Sequence, residues 1–452
     1  MTQARTKTTA PADEAHLPVV DLRSDTVTLP TAQMYERMAS APLGDDGLDG
    51  DPTAQALEAA TADMLEKEAA LYVPSATMAN LLAILAQAGR QELVLAEAAS
   101  HIYMAERGAA ALTGTFYQGI AGVDGAMDLD LLIEALEPGR NKLRAALVCV
   151  ETSHNNAGGA VLPLAHMQAV FEASRKKGAT VHLDGARLMN AAVALAVPAA
   201  RIAAFADTVA LCLSKGLSAP MGAVLAGPSA TIEHARWLPK VLGGGQRQVG
   251  IAAAAGLVAV TDMVERLAQD HAGARRLAGG VGQIPGLSTN IPQTNIVQVD
   301  VSATGLDAVQ WASVLKKFGI LVRPWGRHRL RCVTHRHIGD REIDRAVAAY
   351  PWRASYRLWP GPNSNTFVAW VARQVPALRL DLPPTAIGKD YLGSTTFIDH
   401  APSGTGWQLS LMGLAGVTVA RDEGLELDLL GLGFGIDVDD LALRVPGFGR
   451  LP

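Results

Sequence analysis

A chain of 452 residues exceeds what one ordinary core accommodates, so two or three units are expected, each large enough to bury an interior. Hydrophobic residues at 49% and charged residues at 18% exclude a disordered chain, and a net charge of -5 gives a polyanion such as nucleic acid no attraction. The three cysteines, Cys149, Cys212 and Cys332, are far apart, and neither a disulfide framework nor a cysteine metal site follows from them.

In chain order, the segment from Met1 to about Ala15 is polar and lacks the apolar stretch of a secretory signal, so a disordered arm over 1–17 and a cytoplasmic location are expected. No run of about 18 apolar residues reads as a membrane span. From Val19 to Gly227 short apolar runs alternate with amphipathic stretches, which predicts an α/β unit over 18–250 built on a mostly parallel sheet. The clearest strands are Ala145–Glu151, Thr180–Asp184 and Thr208–Ser214. Between the first two, a helix is predicted from near Pro163 to Gly178, with Met167, Val170, Phe171 and Ser174 on one face. Residues 251–352 read as a long linking helix and a smaller α/β domain, with apolar segments at Thr294–Val301 and Gly319–Arg323 and a helix near Asp340–Tyr350. At about Trp352 the texture turns to Pro, Gly, Asn and Trp, so 353–452 reads as an appended segment.

Ligands of such sheets bind beyond the carboxyl ends of the strands, and the candidate residues cluster at those predicted ends. Ser75, Ala76 and Thr77 open an apolar helix, where backbone N–H groups and hydroxyls hold phosphate or form a plain N-cap. His101 could stack on a flat ring, and His154 follows the strand ending at Glu151. A histidine near its ordinary pKa can take a proton from a hydroxyl. Asp184 and Arg187 end the next strand; an Asp there can face a pyridine nitrogen or merely cap a helix. Lys215 follows the strand at Thr208, where partial desolvation would free its amine for a Schiff base, although a strand-end lysine is ordinarily solvated. The acidic loop Asp45, Asp46, Asp49, Asp51 has Ala56 where a calcium loop needs glutamate, so it reads as a turn. His328, His335 and His337 lie among arginines and predict a solvated basic edge with Arg331 pointing inward, and no metal site.

Taken together, Asp21–Thr28, Gly44-Asp-Asp, Asp51-Pro-Thr, the Ser75 loop, His101, His154, Asp184-Gly-Ala-Arg187, Ser214-Lys215-Gly216, the Gly243–Gln248 segment and Arg331–His335 occur in one order over about Val19–Tyr350. In this the chain resembles the low-specificity L-threonine aldolases, fold type I (aminotransferase-like) pyridoxal-phosphate enzymes of the β-eliminating lyase group. The resemblance implies that Lys215 carries pyridoxal 5'-phosphate, Asp184 pairs with its ring nitrogen, His101 stacks on the ring, and Ser75, Ala76 and Thr77 hold the phosphate. It implies Ser24, Arg187 and Arg331 for the substrate carboxylate, His154 for the β-hydroxyl proton, and Arg247 as a piece contributed to a neighbouring subunit of a homo-oligomer, a tetramer. The implied reaction cleaves β-hydroxy-α-amino acids to glycine and an aldehyde; β-elimination on the same cofactor is the alternative. Ala76 and Met78 stand where the family has glycine and glutamine, and Leu48 where it has an aromatic residue. The appended segment resembles part of an uncharacterised bacterial family and reads as an accessory.

Overall fold

The computed structural model describes residues 19–348 and most of 361–451. The expected arm at 1–17, the end of the helix expected to reach Tyr350 and the boundary expected at 352–353 lie outside the described residues.

Seven strands form the main sheet: β1 (Ala69–Val73), β2 (Leu93–Glu97), β3 (Phe116–Ile120), β4 (Ala145–Glu151), β5 (Thr180–Gly185), β6 (Thr208–Cys212) and β7 (Ala223–Gly227). Their spatial order is β1-β7-β6-β5-β4-β2-β3. Neighbours from β6 through to β3 are parallel, whereas β7 runs antiparallel to both β6 and β1. Every residue of β4 and β6 is buried, because helices cover both faces. That is why these strands read as unbroken apolar runs without alternation. The helix expected after Pro163 spans Leu164–Lys176, buries Met167, Val170 and Ser174, and is followed by Gly178 at φ +74°.

One long linking helix was the expectation; the structure has two, Gly250–Asp262 and Leu267–Val281. The break at residues 263–266 lets the chain leave one core for another. Ala253, Val258 and Leu267 pack with the main sheet, whereas Ala274 and Leu277 belong to a second core. That core lines a four-stranded antiparallel sheet of β8 (Ser288–Thr289), β9 (Ile296–Asp300), β10 (Arg323–Pro324) and β11 (Arg329–Val333), in the order β8-β9-β11-β10. Val20–Asp21 pairs in parallel with Ile320–Leu321, which carries Ser24 and Asp25 to the junction of the two sheets.

The first described helix of the segment read as appended packs on the second core. The helix Ser364–Gln374 lays Phe367 on Trp311 with ring centroids 5.0 Å apart, and Trp370 on Phe318 at 5.7 Å. Phe367 and Val371 complete the second core. After it comes an antiparallel meander whose spatial order follows the chain: β12 (Ile398–His400), β13 (Gly406–Leu411), β14 (Ala415–Ala420), β15 (Gly424–Leu429), β16 (Leu432–Ile436), β17 (Leu443–Val445) and β18 (Gly449–Leu451). Its faces are inverted relative to an ordinary half-buried sheet. Gln408, Thr418, Glu426, Asp428 and Arg444 are buried, and their apolar strand neighbours are exposed. Much of the buried polar side is paired, Arg373 donating to Gln408, Lys389 to Glu426, and Arg444 to Asp381 at 2.7 Å and Asp437 at 3.2 Å, whereas Glu426 Oε1, Asp428 Oδ2 and Arg444 Nε are buried without a hydrogen-bond partner.

Candidate active site

Because β6, β5, β4 and β2 are spatial neighbours in that order, the polar residues at their carboxyl ends stand side by side. Lys215 follows β6, Asp184 lies in β5, Glu151 closes β4 with His154 just beyond, and Glu97 closes β2.

Asp184 is buried and acts as an acceptor on both oxygens, from Ala186 N at 3.1 Å and from Asn80 Nδ2 at 3.1 Å. The amide of Asn80 is held in turn. Its oxygen meets His182 Nε2 at 3.0 Å, His182 Nδ1 meets the Thr208 hydroxyl at 2.9 Å, and Gln87 donates to that hydroxyl at 2.8 Å. Burial pushes His182 down to about 4, so the ring is neutral and carries one proton. With the amide oxygen as acceptor, that proton sits on Nε2, Nδ1 accepts from Thr208, and every donor in the chain points towards Asp184. The arrangement fixes the carboxylate in one orientation.

Beside Asp184, Ser75 caps the helix Ala76–Gln87, its hydroxyl accepting from Met78 N at 3.2 Å. The first-turn N–H groups of Ala76 and Thr77 lie at the positive end of that helix. Glu106 gathers Thr77 Oγ1 at 3.0 Å, His101 Nδ1 at 2.9 Å and Asn80 Nδ2 at 3.2 Å. The Glu106 hydrogen bond raises the His101 pKa against the opposing effect of burial, with Asp184 and Glu151 adding to it. Met78 packs against the glycine-rich segment, where a Cβ on Gly244 would come within 2.6 Å of its Cε. Arg247, in that segment, is largely exposed and pairs with Asp45 at 3.1 Å; these contacts do not join it to Lys215, Asp184 or His101. Leu48 is 77% exposed.

On the opposite side, Arg187 and Asp25 form a fully buried two-pronged pair, Nε to Oδ2 at 2.8 Å and Nη2 to Oδ1 at 2.7 Å. Asn295 also donates to Asp25, at 3.2 Å. Burial opposes the charge on Asp25, but the Arg187 charge and hydrogen bonds outweigh it and hold the carboxyl well below its usual range, with Lys215 and Arg331 contributing. Arg187 is therefore committed chiefly to Asp25, leaving Nη1, which reaches Asn155 Oδ1 at 3.3 Å. Arg331 donates to that same oxygen at 2.8 Å, and its buried Nε has no partner. Burial and the neighbouring Arg187 charge push Arg331 down to about 9, so it stays a cation at neutral pH. A buried guanidinium of this kind calls for a carboxylate. Ser24 caps the turn Asp25–Val27, and Thr28 ties this segment to Lys215 by donating to its carbonyl at 2.9 Å. His335 departs from the expected solvated edge: it is buried, with Nε2 2.8 Å from Asp21 O, because β11 runs through the second core.

His154 is buried, with Nε2 3.0 Å from Glu97 Oε2 and Nδ1 accepting from Ala157 N at 3.2 Å. Burial alone would lower its pKa; the Glu97 hydrogen bond and the charges of Glu151, Glu97 and Asp184 raise it above its ordinary value. Gly125 (φ +86°) leaves room for the ring, since a Cβ there would meet it at 2.6 Å. Asp25, Asn80, Glu97, Glu106, Asn155 and Asn295 join the site without being candidates from the sequence. Asp25, Asn80, Glu106 and Asn155 lie inside or beside motifs already singled out, and a carboxylate closing an apolar strand was the available signal for Glu97.

A lysine past β6, a carboxylate in β5 and this strand order define the fold type I class of α/β enzymes. A threonine aldolase from Leishmania major shares the fold with a TM-score of 0.64 at 19% identity, covering 74% of this chain and 99% of that one. Residues 21–304 match the β-eliminating lyase family. The chain is 40% identical over 341 residues to a probable low-specificity L-threonine aldolase 2 of Arabidopsis thaliana, covering 73% of this chain and 96% of that protein. It is 38% identical over 340 residues to the low specificity L-threonine aldolase of Escherichia coli K12, covering 74% and 99%. The chain belongs to the β-eliminating lyase family, among its low-specificity L-threonine aldolases. Residues 333–391 match a second family, described as a protein of unknown function (DUF3750).

The residues present fit pyridoxal phosphate. A buried, oriented carboxylate, an imidazole, a lysine and a helix start stand at neighbouring strand ends, and the buried Arg331 Nε without a partner would suit an anionic group.

Proposed function

We propose that this chain is a carbon–carbon lyase that holds pyridoxal 5'-phosphate on Lys215 and cleaves L-threonine, L-allo-threonine and related β-hydroxy-α-amino acids, reversibly, to glycine and an aldehyde. The observation that carries the reading is the meeting of the lysine and the donor-fed Asp184 at one edge of the main sheet, with the under-paired Arg331 of the second sheet sharing Asn155 with Arg187. When bound, the cofactor supplies an electron sink conjugated to the substrate Cα. Asp184 would keep a proton on the ring nitrogen, His101 would contact the ring, and the Ser75–Thr77 helix start would receive the phosphate. Arg331, with Ser24 and Arg187 Nη1, would take the substrate carboxylate and so orient the bonds at Cα.

His154 accepts the β-hydroxyl proton. For this the Ala157 N–H must release His154 Nδ1, the nitrogen it now occupies, and Glu97 beside Nε2 stabilises the imidazolium that forms. A raised folded-state pKa means that this pair stabilises the fold fully below the unfolded value of 6.5, a contribution lost as pH rises through the folded value. The base form is needed for cleavage, so activity rises across the same interval. In Glu97→Gln the His154 pKa falls, and the acid limb of kcat/KM for L-threonine is expected to move to lower pH; an unmoved limb assigns that titration to another group.

The deciding assay is product analysis with both threonine diastereomers. Glycine with acetaldehyde supports cleavage; from L-serine, pyruvate with ammonia would mark the β-eliminating alternative. The chain is further read as a homo-oligomer, a tetramer, in which Arg247 completes a neighbour's site. Supporting this, exposed Leu48 and Trp237 line one open cavity with Arg247 and Gly243–Gly245. Among the described residues no helix is long and apolar enough to cross a membrane. A cytoplasmic location is part of the same proposal.

A further inference from the structure

The outer face of the C-terminal meander is apolar from edge to edge. Among the described residues, every strand side chain on it is hydrophobic except His400, which stacks on Trp407 with ring centroids 4.2 Å apart. Leu427, at the middle of the central strand β15, is 47% exposed, and Trp407, Leu409, Val419 and Phe434 around it are exposed to a similar degree. Thirteen large hydrophobic strand residues share this face. Together they present on the order of 1,000 Å², against roughly 300–600 Å² for the largest patch of a typical monomer. The cause is the inversion already described: the buried side of the meander is taken by Arg373, Lys389 and Arg444 with their carboxylates and amides, so strand alternation forces the apolar residues outward.

We propose that two copies of this chain pack their C-terminal meanders face to face about a two-fold axis. The available area exceeds the roughly 800 Å² per partner of a stable interface. The face carries no Asp, Glu, Lys or Arg among the described residues, so two identical faces meet without burying a charge, and nothing on it selects a charged partner. An isologous contact makes such a surface its own complement, and homodimer interfaces are the most apolar class. Twisted antiparallel sheets stack in this way, about 10 Å apart. The strands have three to six residues, fewer than the roughly 9–11 that a strand needs to span a bilayer.

The test uses the full chain with one cysteine introduced at a time, Val417→Cys, Leu427→Cys or Phe434→Cys; native Cys149, Cys212 and Cys332 are all buried. Mild oxidation at micromolar concentration is expected to give a covalent dimer for at least one position. Adding Leu409→Lys with Leu425→Lys, two exposed sites that cost the single chain no buried contact, is expected to lower the cross-linked fraction at least tenfold. Circular dichroism and glycine production should stay as in the parent protein. No covalent dimer at any of the three positions, or one that the lysines leave unchanged, overturns the proposal. Co-sedimentation of the unmodified chain with phosphatidylcholine vesicles, together with failed cross-linking, would assign the face to lipid and overturn it as well.

Discussion

Lys215→Ala is expected to leave a protein that binds pyridoxal phosphate only reversibly and produces glycine from L-threonine at least about a thousandfold more slowly. The reason lies in placement. The lysine leaves β6 beside Asp184, and Thr28 anchors its carbonyl. Substitution by alanine removes the amine while keeping the backbone contacts, so the fold should persist. The measurement is borohydride reduction followed by mass spectrometry of intact protein: the parent chain gains the mass of one reduced cofactor, and the variant gains none. A variant that still takes up reducible cofactor and turns over threonine would place the chemistry on another amine.

The second large effect falls on stability. Asp25→Asn leaves the Arg187 charge buried without its carboxylate, a loss of about 3–5 kcal/mol, seen as a fall of roughly 10 °C in the unfolding midpoint. Asp25 is held below its unfolded value of 3.8, so its contribution is complete above that pH and is lost as pH falls towards the folded value. The variant should lose this acid dependence along with the stability. Replacing both partners, with Asp25→Asn and Arg187→Met, should recover part of the loss, because no charge is then stranded. If the single variant melts with the parent chain, Asp25 is not the anchor of this side of the site.

The strands of the main sheet were readable because they are buried on both sides: Ala145–Glu151 has no polar position before its last residue, and it appears as β4 with those bounds. Lys215, Asp184 and His154 were readable because polar residues closing apolar runs are conspicuous. Asn80 and Thr208 were not. Their role is a chain of hydrogen bonds between separate elements, and an asparagine inside a helix start or a threonine opening a strand has no local signature of it. The break at residues 263–266 was missed for a similar reason, since what interrupts the helix is a change of core and not a glycine or proline. The meander was missed although Leu-Glu-Leu-Asp-Leu at 425–429 alternates cleanly. Alternation reveals a strand but leaves open which of its faces is buried, and here the polar one is.

The stacked rings between the helix Ser364–Gln374 and the second core bear on how this chain could have arisen and whether it can be undone. Trp311 and Phe318 are held under Phe367 and Trp370. An aldolase ending near residue 350 would present Trp311, together with the apolar lining around Leu277, Val314 and Leu330, to water. A lineage that gains such a C-terminal extension is freed from maintaining polar residues at that spot, and once they are gone the extension cannot be lost without stranding the surface it shelters. A chain cut before the helix Ser364–Gln374 would then fold less stably than the full chain, whether or not the segment has a task of its own.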